Sequence, residues 1–308
     1  MNAIIRADNA HQLRELHSVY RGWVAEVTWS PDGRVLAIVG GSGLALYVDG
    51  FGGEPSQEFT HFNAPIKSAA FSSDGRILVT GGADTLVRVW TIDDEARRAH
   101  VKAALSGHSG SVDAVACSPN SLFCASASAD RSIRVWDLAA ERELTRLSGH
   151  TAEVTGVDFA LNGHLLVSGG WDHSVRLWDL RGETSGTVIG THDDWVREVR
   201  VSPGGSVAAS ASRDMTVRLW DIYEARQEAI LQSHLDGADC LAFSPDGALL
   251  ATGGRDHRIH LWNALDQTLV HSFIAHEKPV MSLSFNPTGT LLASAGGDNL
   301  VKLWSVTA

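Results

Sequence analysis

Residues 241–262 read LAFSPDGALLATGGRDHRIHLW, which is three short runs of apolar and β-forming residues separated by two turn sequences. The turns, SPDG at 244–247 and GGRD at 253–256, hold the residue types that favour tight turns. Short β-rich runs bounded by such turns predict antiparallel hairpins. A weaker fourth run follows at 268–273, so this part of the chain predicts a small sheet of four strands.

The same pattern returns along nearly the whole chain. The aromatic residue that closes the third run recurs at Tyr47, Trp90, Trp136, Trp178, Trp220, Trp262 and Trp304, and the last five lie 42 residues apart. A histidine recurs in step, at His17, His61, His108, His150, His192, His234 and His276. One four-stranded sheet cannot cover both of its faces, whereas radial stacking of such sheets into a ring leaves only short edges. The repeat therefore predicts a closed ring of seven sheets.

The composition indicates a soluble, intracellular protein. The chain of 308 residues has a formal net charge of −11, whereas a nucleic-acid binder needs a basic surface to engage phosphates. The first residues lack the apolar core of a signal peptide, and no apolar run is long enough to cross a bilayer. We therefore expect a cytoplasmic protein without nucleic-acid or membrane partners.

The cysteines, Cys117, Cys124 and Cys240, are too few, and odd in number, for a disulfide framework. With a four-residue turn at 118–121, Cys117 would lie opposite Leu122 and Cys124 would fall on the diagonal. Diagonal neighbours are about 7–8 Å apart, near or beyond the limit for a disulfide. We expect all three thiols to be reduced and buried.

Two dipeptides mark the repeats further: Gly-His at 107–108 and 149–150, and Trp-Asp at 136–137, 178–179 and 220–221. In this phase they resemble the WD-repeat family of β-propellers, over about residues 10–304. The resemblance implies an all-β, seven-bladed propeller of four-stranded antiparallel blades, formed as a single domain by residues 1–308.

Because the sequence ends soon after Trp304, the last blade lacks a strand. We expect the N-terminal residues 10–16 to complete the blade of residues 277–304 and so close the ring.

Most units also hold Ser or Thr, His and Asp at fixed spacing, a combination that forms nucleophilic catalytic triads elsewhere. The complete sets with Trp are His108, Ser126, Asp130 and Trp136; His150, Ser168, Asp172 and Trp178; His192, Ser210, Asp214 and Trp220; His234, Thr252, Asp256 and Trp262; and His276, Ser294, Asp298 and Trp304. Unit two matches with His61, Thr80, Asp84 and Trp90, whereas unit one keeps only His17. An enzyme needs such an arrangement once. In WD-repeat proteins similar sets form buried hydrogen-bond chains, so the resemblance implies a structural role and no catalytic residue.

Other chemical motifs are absent from the sequence. It contains no phosphate-binding Gly-rich loop before a helix and no Cys or His pair at metal-ligand spacing, so it predicts no cofactor and no metal ion. A basic residue stands two positions before most of the tryptophans, at Arg88, Arg134, Arg176, Arg218 and Lys302, and this series is interrupted at Ala45 and His260. The phase places these residues on the strand face of the Trp, where they can stack on an indole or contact a neighbouring blade.

Fold alone does not determine function, but the resemblance implies a non-catalytic platform that docks a peptide or a domain of another protein. Docking would occur on the ring face that carries the histidine loops. In the family, the residue before the repeated Asp and two residues after the repeated His are exposed there. In units four to six these positions gather Trp and Arg, the types most enriched at binding hot spots. The predicted partner-binding residues are Trp171, Trp195, Arg197, Arg213, Asp239 and Arg255, with Trp23 in unit one. Such a patch suits an acidic or aromatic peptide.

Two alternative functions remain open. The ring could be a regulatory or sensor subunit that controls a partner enzyme, which would appear as a changed activity of that partner. A propeller enzyme is the other alternative. It would need a cluster of carboxylates or histidines in the central channel that is not repeated from unit to unit.

Overall fold

The predicted hairpins form seven antiparallel sheets in the computed structural model, which describes residues 2–49, 51, 53–93, 98–161, 163–182, 186–232 and 234–307. Each sheet is a blade whose first strand lies innermost, and the innermost strands contact one another around a central channel. The innermost strands of blades seven and one are also in contact, so the ring is complete. The all-β, seven-bladed architecture predicted from the repeat is confirmed.

Within each blade the strands follow one another from the channel outward. Blade one consists of β3 (Val24–Trp29), β4 (Val35–Gly40), β5 (Gly43–Val48) and β6 (Gln57–Phe59). Blade two consists of β7 (Ile66–Phe71), β8 (Ile77–Gly82), β9 (Val87–Ile92) and β10 (Ala99–Leu105). Blade three consists of β11 (Val112–Cys117), β12 (Phe123–Ser128), β13 (Ser132–Asp137) and β14 (Arg142–Ser148). Blade four consists of β15 (Val154–Phe159), β16 (Leu165–Gly170), β17 (Ser174–Asp179) and β18 (Thr187–Thr191).

The remaining blades follow the same order. Blade five consists of β19 (Val196–Val201), β20 (Val207–Ser212), β21 (Thr216–Asp221) and β22 (Arg226–Gln232). Blade six consists of β23 (Ala238–Phe243), β24 (Leu249–Gly254), β25 (Arg258–Asn263) and β26 (Leu269–Ile274). Blade seven consists of β27 (Val280–Phe285), β28 (Leu291–Gly296), β29 (Leu300–Thr307) and the N-terminal strand β2 (Arg14–Tyr20). A short strand β1 (Asn2–Ala3) and a 3-10 helix (Ala10–Gln12) precede β2.

The hydrophobic core lies between the blades. Trp178 of blade four, for example, is buried in one cluster with Ile133 and Val135 of blade three. Facing sheets thus cover each other's apolar surfaces, which is the physical reason why a single blade would not be stable alone. In the described part of the chain, no helix is long and apolar enough to cross a membrane.

The turn between the first two strands of a blade explains the repeated SPDG sequence. In blade six the Ser244 hydroxyl donates to Asp246 Oδ1 over 2.6 Å and accepts the N–H of Leu249 over 2.9 Å. Gly247 has a φ of +71°, a left-handed conformation that glycine adopts without strain. These turns lie on the ring face opposite the histidine loops and hold the hairpins in register.

The N-terminus completes the last blade, as expected, but with different residues. The predicted strand at 10–16 is wrong in its bounds, because residues 10–12 form the 3-10 helix and β2 covers 14–20. Strand β2 pairs antiparallel with β29, with Arg14 opposite Ser305 and Tyr20 opposite Leu300. The helix and the segment before it bury Ile5, Ala10 and Leu13 against Trp304 and Val306.

The register of the two cysteines in blade three also differs from the prediction. Ser118 and Phe123 pair across the turn, since the Ser118 N–H donates to the Phe123 carbonyl and the Ser118 hydroxyl accepts the Phe123 N–H, each over 2.9 Å. Cys117 therefore lies directly opposite Cys124, not opposite Leu122. Both thiols are free, as is Cys240. Burial raises the pKa of Cys117 to about 12.

Candidate functional site

The repeated His, Ser or Thr, Asp and Trp residues form hydrogen-bond chains in blades three to seven. In each blade the indole N–H donates to the hydroxyl oxygen over 2.8–3.2 Å. The same hydroxyl lies 2.7–3.0 Å from the Nε2 atom of the histidine. The histidine Nδ1 atom lies 2.8–3.0 Å from the carboxylate. All four polar groups of each set are thus satisfied inside the blade.

The aspartate of each set also closes a turn, as Asp214 in blade five shows. It accepts the N–H of Asp193 over 3.0 Å, the N–H of Thr216 over 2.9 Å and the Thr216 hydroxyl over 2.6 Å. Burial alone raises the pKa of Asp214, but these bonds and the contact with His192 hold its net pKa well below the usual range. Burial lowers the pKa of His192, and Asp214 partly opposes this. Ser210 has no exposed surface, so it is not placed to attack a substrate.

Replacing Asp214 with alanine should cost about 1–3 kcal/mol of unfolding free energy, because buried His192 and two backbone N–H groups lose their acceptor. Urea unfolding at neutral pH measures the loss. The matched control is Asp193→Ala, since the Asp193 side chain is 92% exposed and should contribute little. An equal effect of both substitutions would contradict the structural role.

The stability that Asp214 contributes should depend on pH. The pKa of Asp214 is lower in the folded state than in the unfolded chain, so the folded state favours the ionised carboxylate. Its contribution to stability is therefore present above the ordinary carboxyl pKa of about 4 and is lost as the pH falls below it. The difference between the wild type and the Asp214→Ala variant should shrink in acid.

Blades one and two depart from the sets more than the sequence suggested. His61 is exposed, and Phe62 occupies the histidine position, with its ring centroid 6.1 Å from that of Trp90. Asp84 binds Arg88 instead, with Oδ2 2.5 Å from Nη2. His17 lies in the outer strand β2, opposite Leu303, and not in a loop. The spacing could have shown that His61 is displaced, since it stands 29 residues before Trp90 whereas His108 stands 28 residues before Trp136.

The central channel contains charged residues that sequence analysis missed. Three carboxylates, Glu26, Asp158 and Glu198, and one guanidinium, Arg200, project from the innermost strands β3, β15 and β19. Arg200 Nη2 lies 2.5 Å from Glu26 Oε1, across the ring, and 2.6 Å from Glu198 Oε1 on its own strand. The sequence contained a sign of these charged residues, because the equivalent positions of the other blades are uncharged. For the two glutamates these positions are Ser68, Ala114, Gly156, Cys240 and Ser282. For Asp158 and Arg200 they are Thr28, Ala70, Ala116, Ala242 and Ser284.

Each channel carboxylate also binds the backbone of the next blade. Glu26 accepts the N–H of Ala69 over 2.9 Å, and Glu198 accepts the N–H of Leu241 over 2.7 Å. Asp158 accepts the N–H of Val201 over 2.8 Å. The unrepeated carboxylate cluster that an enzyme would need therefore exists, but its oxygens connect neighbouring blades.

Burial raises the pKa of Glu198 to about 7, with Arg200 opposing this and Glu26 adding to it. Burial also raises the pKa of Asp158, again opposed by Arg200. Arg200 is thus the main compensation for a group of buried carboxylates. This arrangement favours a structural role for the ion pairs of Arg200 with Glu26 and Glu198, which cross the channel and are called the strut below.

The strut separates two cavities. On the face of the histidine loops the channel mouth encloses about 570 Å³, and on the opposite face it encloses about 320 Å³. Glu26 and Arg200 line both cavities. The larger one is lined at its rim by aromatic and charged side chains, among them Trp23, Lys67, Asp113, Glu153, Trp171 and Arg197.

The predicted partner-binding residues of blades four to six lie together at this mouth. The rings of Trp171 and Trp195 stack, with centroids 4.3 Å apart and planes 8° from parallel. The guanidinium of Arg213 lies over the outer ring, 5.1 Å from the centroid of Trp195. Trp171 lines the cavity, and Trp195 and Arg213 extend the surface outward from it.

The other three predicted residues form an ion pair network in which two partly exposed arginines flank a buried aspartate. Asp239 Oδ1 lies 3.1 Å from Arg197 Nε, and Oδ2 lies 3.1 Å from Arg255 Nε. The Asp239 side chain is 2% exposed, so it is an internal counter-ion and not a contact surface. Arg213 has a weaker partner, Asp194, at 3.9 Å. Of the three arginines, Arg213 is therefore the one least compensated by carboxylates of the chain.

Further rim residues had not been identified from the sequence. Lys67 lies over the ring of Trp23, with Nζ 4.7 Å from the centroid. Burial raises the pKa of Asp113, and burial together with Asp113 raises that of Glu153. The mouth therefore has a Trp–Lys pair in blades one and two and a Trp–Trp–Arg stack in blades four and five, with two carboxylates in its lining.

Comparison with known proteins agrees with this geometry. The model of the WD domain, G-beta repeat, matches residues 53–91, 100–137, 141–179, 183–221, 225–263 and 267–305. The chain is 33% identical over 87 residues to the WD repeat and HMG-box DNA-binding protein 1 of Xenopus laevis, a match that covers 28% of this chain and 7% of that protein. It is 34% identical over 83 residues to THO complex subunit 3 of Arabidopsis thaliana, covering 27% and 26%.

The chain is similar over a longer stretch to the nuclear distribution protein PAC1 of Arthroderma benhamiae. The two are 29% identical over 158 residues, which is 44% of this chain and 33% of that protein. The chain thus spans a third or less of the length of these relatives. The family model, in contrast, matches most of the chain, and each matched repeat spans the outer strand of one blade and the first three strands of the next. The chain therefore belongs to the WD-repeat family, as a seven-bladed β-propeller.

Proposed function

We propose that this propeller is a non-catalytic scaffold that docks a peptide or a domain of another protein on the face of the histidine loops. The observation that carries the proposal is the Trp171–Trp195 stack with Arg213 over it, at the rim of the larger cavity. WD-repeat propellers commonly act as interaction platforms. We also propose that the protein is located in the cytoplasm, as expected from the sequence.

The geometry favours an aromatic or carboxylate side chain of the partner at the stack. Indole rings offer a flat apolar surface, and an arginine already held over a ring loses little conformational freedom on binding. Arg213 can donate to a carboxylate because its own partner, Asp194, is 3.9 Å away. Arg197 and Arg255 would contribute less, since both contact Asp239. The partner expected here is thus an acidic or aromatic peptide.

The relatives offer limited support for a role in assemblies. THO complex subunit 3 is, by its name, a subunit of a complex. A regulatory or sensor ring remains the second candidate, because it would use the same docking face. The two differ in one measurement: a regulatory ring changes the activity of a bound partner enzyme, whereas a scaffold changes only its location or its neighbours.

The double variant Trp195→Ala with Arg213→Ala should weaken partner binding at least about tenfold, since Trp and Arg that a partner covers on binding are typical hot spots. The partner is first identified by affinity purification with crosslinking mass spectrometry, and its dissociation constant is then measured with purified protein. The melting temperature should change little, because both side chains lie at the rim.

The control variant carries Arg34→Ala and Arg76→Ala, in turns of the opposite face. It should bind the partner like the wild type. Equal weakening by both double variants, or weakening by the control alone, would reject the histidine-loop face as the docking site.

A further inference from the structure

One position in blade six breaks the series of basic residues that precede the tryptophans. Arg88, Arg218 and their counterparts are replaced there by His260. His260 is 7% exposed, and neither of its ring nitrogens has a hydrogen-bond partner in the described part of the structure. A buried imidazole without a hydrogen bond is costly, so this side chain requires an explanation.

Two further ligand-type side chains surround His260. Its ring lies against that of His234, with centroids 4.4 Å apart, and its Nε2 atom is 3.7 Å from Asp256 Oδ2. His234 Nδ1 lies 2.8 Å from Asp256 Oδ1. One ligand atom from each of these three residues can be chosen so that all lie within 4.8 Å of one another.

The hydrogen-bond chain of blade six is also looser than the others. The distance from Trp262 Nε1 to Thr252 Oγ1 is 3.2 Å, compared with 2.8 Å in blades three, four, five and seven. Asp256 further lacks the hydroxyl donor that Thr216 gives Asp214, because position 258 is an arginine whose guanidinium binds Ser272. The carboxylate of Asp256 therefore has more capacity for another partner.

We propose that His234, Asp256 and His260 bind a divalent transition-metal ion, with Zn²⁺ as the best fit. Two imidazoles and a carboxylate are a ligand set that zinc accepts, with a fourth position left for water. In a tetrahedral zinc site the ligand atoms are about 3.3–3.5 Å apart, so small movements of the three side chains suffice.

The surrounding atoms suit this assignment. When Nδ1 of His234 binds the metal, the single proton of the neutral ring moves from Nδ1, where it faces Asp256, to Nε2, so the ring stays neutral. Thr252 Oγ1, 3.0 Å from Nε2, then accepts that proton in a hydrogen bond and orients the ring. The set that is structural in the other blades thus supplies both a ligand and its supporting partner in blade six.

The competing explanation is that His260, when protonated, simply replaces arginine as a counter-ion for the aspartate. Arg218 does this in blade five, with Nη2 3.4 Å from Asp214 Oδ2. The variant His260→Arg separates the two explanations, since it restores the ion pair but removes a metal ligand. His100→Arg is the matched control, because His100 is exposed and lies in β10 of blade two.

The test titrates the purified full chain, freed of metal, with Zn²⁺ by calorimetry and with Co²⁺ by visible absorption. We expect the wild type and His100→Arg to bind one ion per chain with the intense Co²⁺ bands of a tetrahedral site. His260→Arg should weaken that binding at least about 100-fold, since a ligand is lost. His260→Gln, which adds no charge, should behave like His260→Arg and covers the case in which the arginine disturbs folding. Equal binding by all four proteins, or no binding by the wild type, would overturn the proposal.

Discussion

Replacing Arg200 with alanine should destabilise the propeller by about 3 kcal/mol at neutral pH, because Glu26 and Glu198 lose the guanidinium between them. Breaking one side of a buried ion pair is costly since the remaining charges stay out of water. We expect the lower end of the usual range because the channel opens to cavities on both faces. Urea unfolding of the variant and the wild type measures this difference.

The loss should depend on pH, and its sign follows from the carboxyl groups. The pKa of Glu198 is about 7 in the folded protein, above its ordinary value of 4.5, so the folded state binds a proton that the unfolded chain has released. Stability associated with this group is therefore present at low pH and is lost as the pH rises between these two values. Without Arg200 the pKa values of Glu198 and Asp158 should rise further. The variant should consequently lose more stability at about pH 8 than at about pH 5.5.

A second substitution tests the cause. Adding Glu198→Gln to Arg200→Ala removes one of the uncompensated charges, so it should recover part of the lost stability at the higher pH. A single variant, Arg34→Ala, removes an exposed ion pair with Asp49 and serves as the control, with little expected change. If Arg200→Ala lost the same free energy at both pH values, charge compensation would not be its role.

Removing the N-terminal strand should have the largest effect of all. A chain that begins at Arg21 lacks β2 and the residues Ile5 and Leu13, whose buried side chains stabilise the fold by roughly 1.5–3 kcal/mol each. It also exposes β29 as an unpaired edge and uncovers part of Trp304. We expect the melting temperature to fall by about 10 °C or more, with aggregation on heating.

The control for this deletion is a shorter one. Removing only residues 2–4 eliminates the pairing of β1 with β29 but keeps Ile5, Leu13 and strand β2. Its melting temperature, measured by circular dichroism, should stay close to that of the complete chain. If the longer deletion also melted like the complete chain, the N-terminal strand would not be what closes the ring.

The sequence alone determined the number of blades, the strands within them and the hydrogen-bond sets of blades three to seven. This was possible because each of these features is local and is repeated, so that seven imperfect copies correct one another. The same repetition misled where a unit deviates. His17 and His61 matched the periodic series by residue type, but they lie outside the loop position, and Phe62 fills it in blade two.

The functional features depended on tertiary structure. Glu26 and Arg200 are 174 residues apart and meet only because ring closure places blades one and five across one channel. The Trp171–Trp195 stack was expected as a surface patch, but only the structure shows that Asp239 compensates two of its arginines. His260 looked like a simple interruption until its ring, which has no hydrogen-bond partner among the described residues, was seen beside His234 and Asp256. Sequence period specifies the blade, whereas the charges and ligands that blades bring together are set by how the ring closes.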